Sequence, residues 1–460
     1  MKLSLIGLGV KSGDISVNAF ERLKQATTVV VRTENTLSAR FLKEQNINYV
    51  ALDGVYLKSR NFDTLTNNIV KEVSARLKTG DVCYLVDGSV YEDRCARILA
   101  KRYKDVLIFD GASKVNQALI KCGISEDGYT AVSAYSIDKF KRYSFPIVVY
   151  DLDSALLASE WKLKLFEIVG EEQQVRLYAD DNVKTIRLYE LDMQQVYDYS
   201  TVLVVDELPL KDKTRFDFYD ILDILAILRA PDGCPWDRVQ TPESIRINLV
   251  EEAYELVDAI DKRDDEKIRE ETGDVLMQVA FHMTFLKERG AYLPSDVTSA
   301  LGEKLITRHT HIFGNDKATD AQSALQVWNK NKQIEKGYDS AFSYVDDVPK
   351  CLPALLRTEK VVKRSINRNF KIYEQGGLIA RIKDMLDSCE FEGEKGAELM
   401  FLTAYLLKLN GASLEQGLSD RLKKYIESLN AVEQKMLSMG LSLSNVDAKT
   451  VLEIYEQIEK

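Results

Sequence analysis

The pattern of apolar residues changes near residue 216, and this change constrains the fold of the 460-residue chain more than any other feature. Before it, short apolar runs alternate with helical patterns, whereas after it apolar residues follow helical spacing alone. A chain of this length exceeds what one hydrophobic core can organise. The sequence therefore predicts a multidomain protein, with an α/β region followed by all-α regions.

Residues 1–210 are predicted to form one α/β domain. The candidate strands are Leu3–Ile6, Thr28–Val31, Val82–Val86, Val106–Phe109, Ile147–Tyr150, Val175–Tyr178 and Thr201–Val205. Helical patterns lie between several of them, at Ile15–Ala26, Asp63–Leu77 and Lys114–Lys121. Such alternation is typical of a largely parallel sheet with helices on its faces.

The next domain, residues 211–345, is predicted to contain a helical hairpin. One helix, capped near Thr241, should run to about Asp261, because Thr is a good N-cap and Pro follows it. A second helix should run from about Asp265 until Gly290 ends it. A short connection between such helices places them side by side.

Residues 346–460 are predicted to form a degenerate second copy of this hairpin domain. The segment Glu394–Met400 echoes Glu271–Met277, and apolar helical patterns follow both segments. Ala397 replaces Asp274 in the echo, so we expect that this copy holds no metal. Its predicted helices are Leu352–Lys363, Gly377–Leu386, Gly393–Leu409, Leu414–Leu429 and Val446–Ile458.

The composition excludes several classes of function. A formal net charge of −10 argues against non-specific binding to a nucleic-acid polymer. No apolar run approaches the ~18–20 residues that cross a bilayer, so no membrane partner is expected. The six cysteines, including Cys389, form no C-x-x-C pair. A reducing, cytoplasmic location is therefore expected.

Four carboxylates in the predicted hairpin are candidates for a metal site. Glu252 and Glu255 lie three residues apart on the first helix, and residues at this spacing share a helix face. Glu271 and Asp274 repeat the spacing on the second helix. Converging carboxylates repel one another and take up protons, unless an ion such as Mg²⁺ lies between them. The alternative is a solvated acidic face, but Asp274 begins an apolar helix that should be buried, where an unpaired charge is costly.

Three residues further along are candidates for substrate binding. Arg308 ends a basic segment that could reach phosphate, or that merely places favourable charge at a helix C-terminus. Trp328 and Lys332 lie four residues apart on one helix face. This aromatic and cation suit a base and a polyphosphate, or form only a surface stripe.

These motifs resemble the MazG family over about residues 222–360. The matching segments are Leu228–Asp237, the Glu-Glu-x-x-Glu and Glu-x-x-Asp pairs, Lys304–Gly314, Trp328–Lys336 and Leu352–Arg357. The resemblance implies a helical hairpin bundle completed by a second copy, in a homodimer or within the chain. It also implies hydrolysis of nucleoside triphosphates to nucleoside monophosphate and pyrophosphate.

The same resemblance implies roles for individual residues. The implied Mg²⁺ ligands are Glu252, Glu255, Glu271 and Asp274, and the implied nucleotide contacts are Arg308, Trp328 and Lys332. On chemical grounds, Glu251 is a candidate for the base that accepts the proton of the attacking water.

The N-terminal region resembles the tetrapyrrole (corrin/porphyrin) methylase family, in the branch fused to MazG. The matching segments are Leu5–Gly9, Gly13–Asp14, Gly111–Ser113, Ala158–Leu163 and Leu188–Asp192. The resemblance implies S-adenosylmethionine between two α/β lobes, beside Gly7, Gly9, Gly88 and Ser113. Two loops that shape the cofactor cleft in the family depart from its pattern, at Gly9–Asp14 and Asp87–Ser89, and these departures count against methyl transfer. A tight strand-to-helix turn is an alternative reason for the glycines.

Three functional hypotheses follow from these observations. The first is a nucleoside-triphosphate hydrolase with a methylase-like domain of unassigned role, which the complete set of carboxylates favours. The second is an S-adenosylmethionine-dependent methyltransferase with an accessory MazG domain, against which the altered loops count. The third is a non-catalytic scaffold that senses nucleotides.

Overall fold

The structure, a computed structural model, describes residues 2–59, 61–388, 392–441 and 446–459, so Cys389 lies outside the described residues. The chain separates into two compact units, Met1–Pro294 and Ser295–Lys460, which are described one by one. The three predicted domains, 1–210, 211–345 and 346–460, stay a prediction. In the described segments, every helix is too short or too polar to pass through a lipid bilayer.

The first lobe of the N-terminal region is built on a five-stranded parallel sheet. Its strands are β1 (Leu3–Gly7), β2 (Thr28–Val31), β3 (Val50–Ala51), β4 (Val82–Val86) and β5 (Val106–Phe109), in the spatial order β3-β2-β4-β1-β5. Its helices are α1 (Val17–Lys24), α2 (Arg40–Glu44), α3 (Asp53–Lys58), α4 (Phe62–Leu77) and α5 (Arg94–Arg102). Tyr84 and Leu85 of β4 enter separate cores on opposite faces, so helices cover both faces of the sheet.

The second lobe contains a mixed sheet, which differs from the largely parallel sheet that the sequence predicts. Its elements are α6 (Lys114–Lys121), β6 (Thr130–Ser133), β7 (Ile147–Tyr150), α7 (Ala155–Val169), β8 (Gln174–Ala179), β9 (Asn182–Arg187) and β10 (Val202–Val205). In the order β6-β7-β10-β8-β9, β6 and β7 pair in parallel, and the other pairs are antiparallel. The sequence did not predict β9, because this strand is mostly polar. A hairpin turn at Asp180 and Asp181, both with positive φ, joins β9 to β8.

The helical part of the first unit contains the predicted hairpin. Its helices are α8 (Phe218–Arg229), α9 (Pro235–Val239), α10 (Arg246–Lys262) and α11 (Asp265–Glu288). The predicted end of α11 is confirmed, since Gly290 has a φ of +65° directly after it. The predicted start of α10 is wrong by about one turn, because Thr241 Oγ1 accepts from the Ser244 N–H at 3.2 Å in a separate turn before the helix.

One face of α11 is more exposed than its apolar sequence predicts. Phe281 and Phe285 pack against Leu225 of α8 in a buried core. Leu276 and Val279, in contrast, are 41% and 40% exposed in this unit. The prediction that the helix after Asp274 is buried on almost all sides is therefore wrong for this face.

The second unit consists of helices throughout its described residues. They are α12 (Pro294–Arg308), α13 (Thr310–Phe313), α14 (Ala321–Lys336), α15 (Ala341–Asp346), α16 (Ala354–Asn367), α17 (Gln375–Asp387), α18 (Gly393–Leu409), α19 (Leu414–Ser438) and α20 (Ala448–Glu459). Leu378 of α17 and Leu402 of α18 share a core, so these two helices pack as a pair. The predicted fold class, α/β followed by helices, is confirmed.

Candidate functional site

Three carboxylates converge where α10 packs against α11. Oxygens of Glu252, Glu255 and Glu271 lie within 4.8 Å of one another, close enough for one cation to contact all three. Ala259, one turn beyond Glu255, is small and buried, and it lines the same cleft as Glu255 and Glu271. The spacing in the sequence thus predicted the two faces that meet.

Asp274 lies one turn beyond Glu271 on α11 and is half-buried. It is not a member of the three-carboxylate group, but its charge helps to raise the pKa of both Glu252 and Glu271. It therefore borders the group, at a distance from which it repels the other carboxylates.

The electrostatics of the group favour a bound cation. Burial raises the pKa of Glu252 above its usual value, and Asp274 and Glu255 raise it further. Burial and Glu255 likewise raise the pKa of Glu271, although the nearby ammonium of Lys267 opposes them. Carboxylates that resist ionisation for this reason are stabilised in their charged form by a divalent ion.

An open cleft of about 610 Å³ adjoins the carboxylates, lined by Tyr254, Lys262 and Lys267 among others. Lys267 Nζ lies 3.7 Å from Glu271 Oε1, so the lysine ammonium lies at the edge of the three-carboxylate group. The sequence reasoning missed Lys267. Its position, four residues before Glu271 on one helix, was the available signal.

Glu251 is exposed on α10 and does not belong to the three-carboxylate group. Its charge contributes, as the smallest of the named causes, to the raised pKa of Glu252. Its role as a base therefore stays a prediction.

The three predicted nucleotide contacts lie together in the second unit. Arg308 forms two hydrogen bonds with Glu335, at 2.8 and 2.9 Å, and its guanidinium carbon lies 5.2 Å from the centroid of a Trp328 ring. Lys332 Nζ lies 5.0 Å from a Trp328 centroid. Burial lowers the pKa of Lys332, and the cations Arg308 and Arg364 lower it further, so this cluster carries excess positive charge.

The predicted cofactor glycines serve close backbone packing. A side chain on Gly7 would place its Cβ 2.5 Å from the carbonyl oxygen of Gly88 and would also collide with Gly111. Gly9 and Gly88 both have a φ of +75°, which favours glycine. Ser113 caps α6, since its Oγ accepts from the Asn116 N–H at 3.0 Å. Each of these residues thus has a structural role in the fold.

The echo in the second unit differs in charge from the first hairpin. Glu398 of α18 forms an ion pair with Arg381 of α17 at 2.8 Å. A cation therefore faces Glu398 across the helix pair, although Asp384 of α17 lines the same cleft. That this pair is a degenerate copy stays a prediction.

Comparison with known proteins places these features in a family. Residues 240–313, which include the four predicted metal ligands, match the model of the MazG nucleotide pyrophosphohydrolase domain. The nucleoside triphosphate pyrophosphohydrolase of Escherichia coli (strain K12) is 31% identical over 252 residues, which are 52% of this chain and 96% of that protein. The chain belongs to the MazG family.

The chain is also similar to a relative over most of its length. The uncharacterized protein YabN of Bacillus subtilis (strain 168) is 29% identical to this MazG-family chain over 378 residues, which are 79% of the chain and 76% of YabN. Among solved structures, the cobalamin-biosynthesis precorrin-6Y methylase of Archaeoglobus fulgidus matches 45% of the chain and 99% of its own length, at 14% identity and a TM-score of 0.33. A TM-score this low carries no argument about the activity of the N-terminal region.

Proposed function

We propose that the chain hydrolyses nucleoside triphosphates to nucleoside monophosphate and pyrophosphate, with Mg²⁺ held by Glu252, Glu255, Glu271 and Asp274. The observation that carries this proposal is the convergence of three of these carboxylates within 4.8 Å, on the segment that matches the MazG domain. Membership of a family with this activity supports the same reaction.

MazG pyrophosphohydrolases generally depend on a divalent metal, which neutralises phosphate charge and activates a water for attack at the α-phosphorus. In this proposal, the oxygens of Glu252, Glu255 and Glu271 would form most of the ligand set, and Asp274, one turn beyond Glu271 on α11, would supply the fourth ligand. Glu251, exposed next to Glu252, accepts the proton of the attacking water.

As a separate part of this proposal, the Trp328 cluster is a nucleotide-binding surface of the second unit. The indole offers an aromatic surface for a base, and the cations of Arg308 and Lys332 suit phosphate oxygens. The pairing of Arg308 with Glu335 orients the guanidinium beside the indole.

A second copy of the chain completes the hairpin in this proposal. An apolar stripe follows α10 at spacings of three and four residues, and all its members are at least 45% exposed: Ile247, Val250, Tyr254, Val257 and Ile260. A helix face of this kind is normally covered. The resemblance to a family whose hairpins pair favours another MazG-type hairpin as the cover.

The test is a panel of nucleoside triphosphates with pyrophosphate detection, run with Mg²⁺ and with EDTA. We expect equal amounts of monophosphate and pyrophosphate from at least one nucleotide, and loss of both products with EDTA. Release of orthophosphate and a nucleoside diphosphate would contradict the proposal. Binding of ATP with Mg²⁺ but without turnover would favour the nucleotide-sensing scaffold.

A further inference from the structure

The two lobes of the N-terminal region meet at the carboxyl ends of β1, β4 and β5. In open α/β sheets this edge is where ligands bind, and the methylase resemblance implies S-adenosylmethionine at this place. Whether such a cofactor fits depends on which groups already fill the edge. The side chains there are among the most buried charges of the unit.

The N-terminus of α6 is already occupied by an internal carboxylate. The backbone N–H groups of Lys114 and Val115 donate to Glu92 at 3.0 and 3.1 Å, and Ser113 Oγ donates to it at 2.6 Å. Free N–H groups at a helix start commonly bind the anionic part of a ligand. Glu92, a residue of the first lobe that is only 7% exposed, already occupies this position.

The side chain of Lys114 fills the space beside the β4 loop. A Cβ added to Gly88 would lie 2.7 Å from Lys114 Cγ, so little room remains next to this glycine. Lys114 is fully buried, donates to Asp151 and to the Tyr199 carbonyl at 3.1 Å, and lies 3.9 Å from Asp87. One lysine thus connects the β4 loop of the first lobe to two segments of the second.

A second buried pair reinforces this connection. Arg32 of the first lobe, 1% exposed, pairs with Asp93 and lies 4.2 Å from the centroid of the Tyr199 ring. The hydroxyl of Tyr199, from the second lobe, donates to Asp93 at 3.1 Å. The same tyrosine therefore touches both ion pairs.

Opening this edge for a cofactor would separate charges that have no access to water. Burial raises the pKa of Asp87 to about 7, whereas Asp151, Asp87 and Glu92 outweigh burial and hold the pKa of Lys114 above its usual value. Removing one member of a buried pair leaves the other charge uncompensated, which is strongly destabilising. The network is thus costly to disrupt.

We propose that the edge between the lobes is closed by this network, made of Glu92, Lys114 and Asp151 with Arg32, Asp93 and Tyr199. The N-terminal region is then a methylase-like fold that does not bind S-adenosylmethionine and is held rigid by its own side chains. This inference is independent of the proposed hydrolase reaction.

Calorimetric titration of the full chain with S-adenosylmethionine, and separately with S-adenosylhomocysteine, tests the absence of binding. We expect no saturable heat at ligand concentrations up to about 1 mM, which excludes all but very weak binding. Saturable binding of either compound with one site per chain would overturn the proposal.

Hydrogen exchange of the full chain tests the closing role of Lys114. In Lys114→Ala we expect at least about tenfold faster exchange in peptides covering residues 86–95 and 111–118, because a buried pair is broken. The matched control is Lys121→Ala on the same helix, whose partner Asp181 is 33% exposed, and we expect exchange as in the unchanged protein.

Lys114→Met keeps most of the side-chain volume and serves as a second variant if Lys114→Ala does not fold. The same acceleration is expected in it, because Asp151 still loses its partner. Exchange in Lys114→Met equal to that in Lys121→Ala would contradict the closing role of Lys114. Failure of these tests would leave the hydrolase proposal untouched, since the pyrophosphate assay reports on a different part of the chain.

Discussion

Burial and neighbouring carboxylates disfavour the charged forms of Glu252 and Glu271, and so raise the pKa of both side chains above the ordinary value of 4.5. A protonated carboxyl must lose its proton before it binds a metal, so protons compete with the cation in the pH range above 4.5. We therefore expect Mn²⁺ to bind at least about fivefold more tightly at pH 7 than at pH 5. Calorimetry in buffers of different ionisation enthalpy measures both the affinity and the released protons. An affinity independent of pH over this range would argue against these two ligands.

Removal of single carboxylates tests their share in the reaction. Glu252→Gln and Asp274→Asn should each lower kcat at least about 100-fold, because metal-based stabilisation of the transition state is worth several kcal/mol. Steady-state pyrophosphate release measures the effect, and circular dichroism checks that helix content is retained. The matched control is Glu266→Gln, an 86%-exposed carboxylate on the same helix as Asp274, which should leave kcat unchanged. Activity of Asp274→Asn near that of this control would remove Asp274 from the site.

The indole of Trp328 is expected to act mainly in binding. Loss of an aromatic surface that stacks on a base costs about 1–3 kcal/mol, so Trp328→Ala should raise KM roughly tenfold and change kcat much less. Phe342→Ala, at a 67%-exposed aromatic in the same unit, is the control. A fall in kcat with unchanged KM would contradict a role in base binding.

At the scale of elements, the hairpin of α10 and α11 carries both the carboxylates and the exposed stripe. Placing a charge in the stripe should disrupt pairing with a second copy, because a lysine at Val250 would be desolvated in the interface. We expect Val250→Lys to reduce the mass measured by analytical ultracentrifugation from dimer to monomer. Asp261→Lys, at an exposed position in the last turn of α10, should remain dimeric.

A concentration-independent monomer in the unchanged chain would contradict pairing between chains. It would leave the stripe without a second chain as its cover. The outcome does not affect the pyrophosphate assay, so the two proposals can fail separately.

The elements differ in how well the sequence predicts them, for identifiable reasons. β2 and β4 lie at their predicted bounds, because buried strands of a parallel sheet are continuous apolar runs. β9 escaped prediction because its residues are mostly polar and exposed. α10 starts late because Thr241 caps a turn and not the helix itself. Local signals thus predict buried elements well, but not how a turn competes with a helix start.

The candidate site was likewise predicted only in part from the sequence. The spacing of Glu252 and Glu255 on one helix predicted a shared face, and that face meets Glu271. The closeness of Lys267 to Glu271, and the filling of the lobe edge by Lys114, depend on side-chain placement that no spacing rule contains. Gly7 and Gly88 match a cofactor motif, yet their conformation is explained by contacts between loops.

At the scale of the whole molecule, the chemistry and the α/β fold belong to separate parts of the chain. The hydrolase relative in Escherichia coli covers about half of the chain, and the MazG match lies within residues 240–313. The closed edge between the α/β lobes leaves that region without a cofactor in our account. We therefore expect S-adenosylmethionine to change neither kcat nor KM of pyrophosphate release. A saturable effect of the compound on either constant would show that the α/β region binds it.

The central claim is that the carboxylates between α10 and α11 hold a divalent cation that binds a triphosphate. A crystal structure with Mn²⁺ and a non-hydrolysable nucleoside triphosphate, with an anomalous difference map, tests it most directly. We predict a Mn²⁺ peak about 2.0–2.6 Å from oxygens of Glu252, Glu255 and Glu271, with phosphate oxygens completing its coordination. A nucleotide bound with its metal elsewhere, and no peak between these carboxylates, would contradict the account.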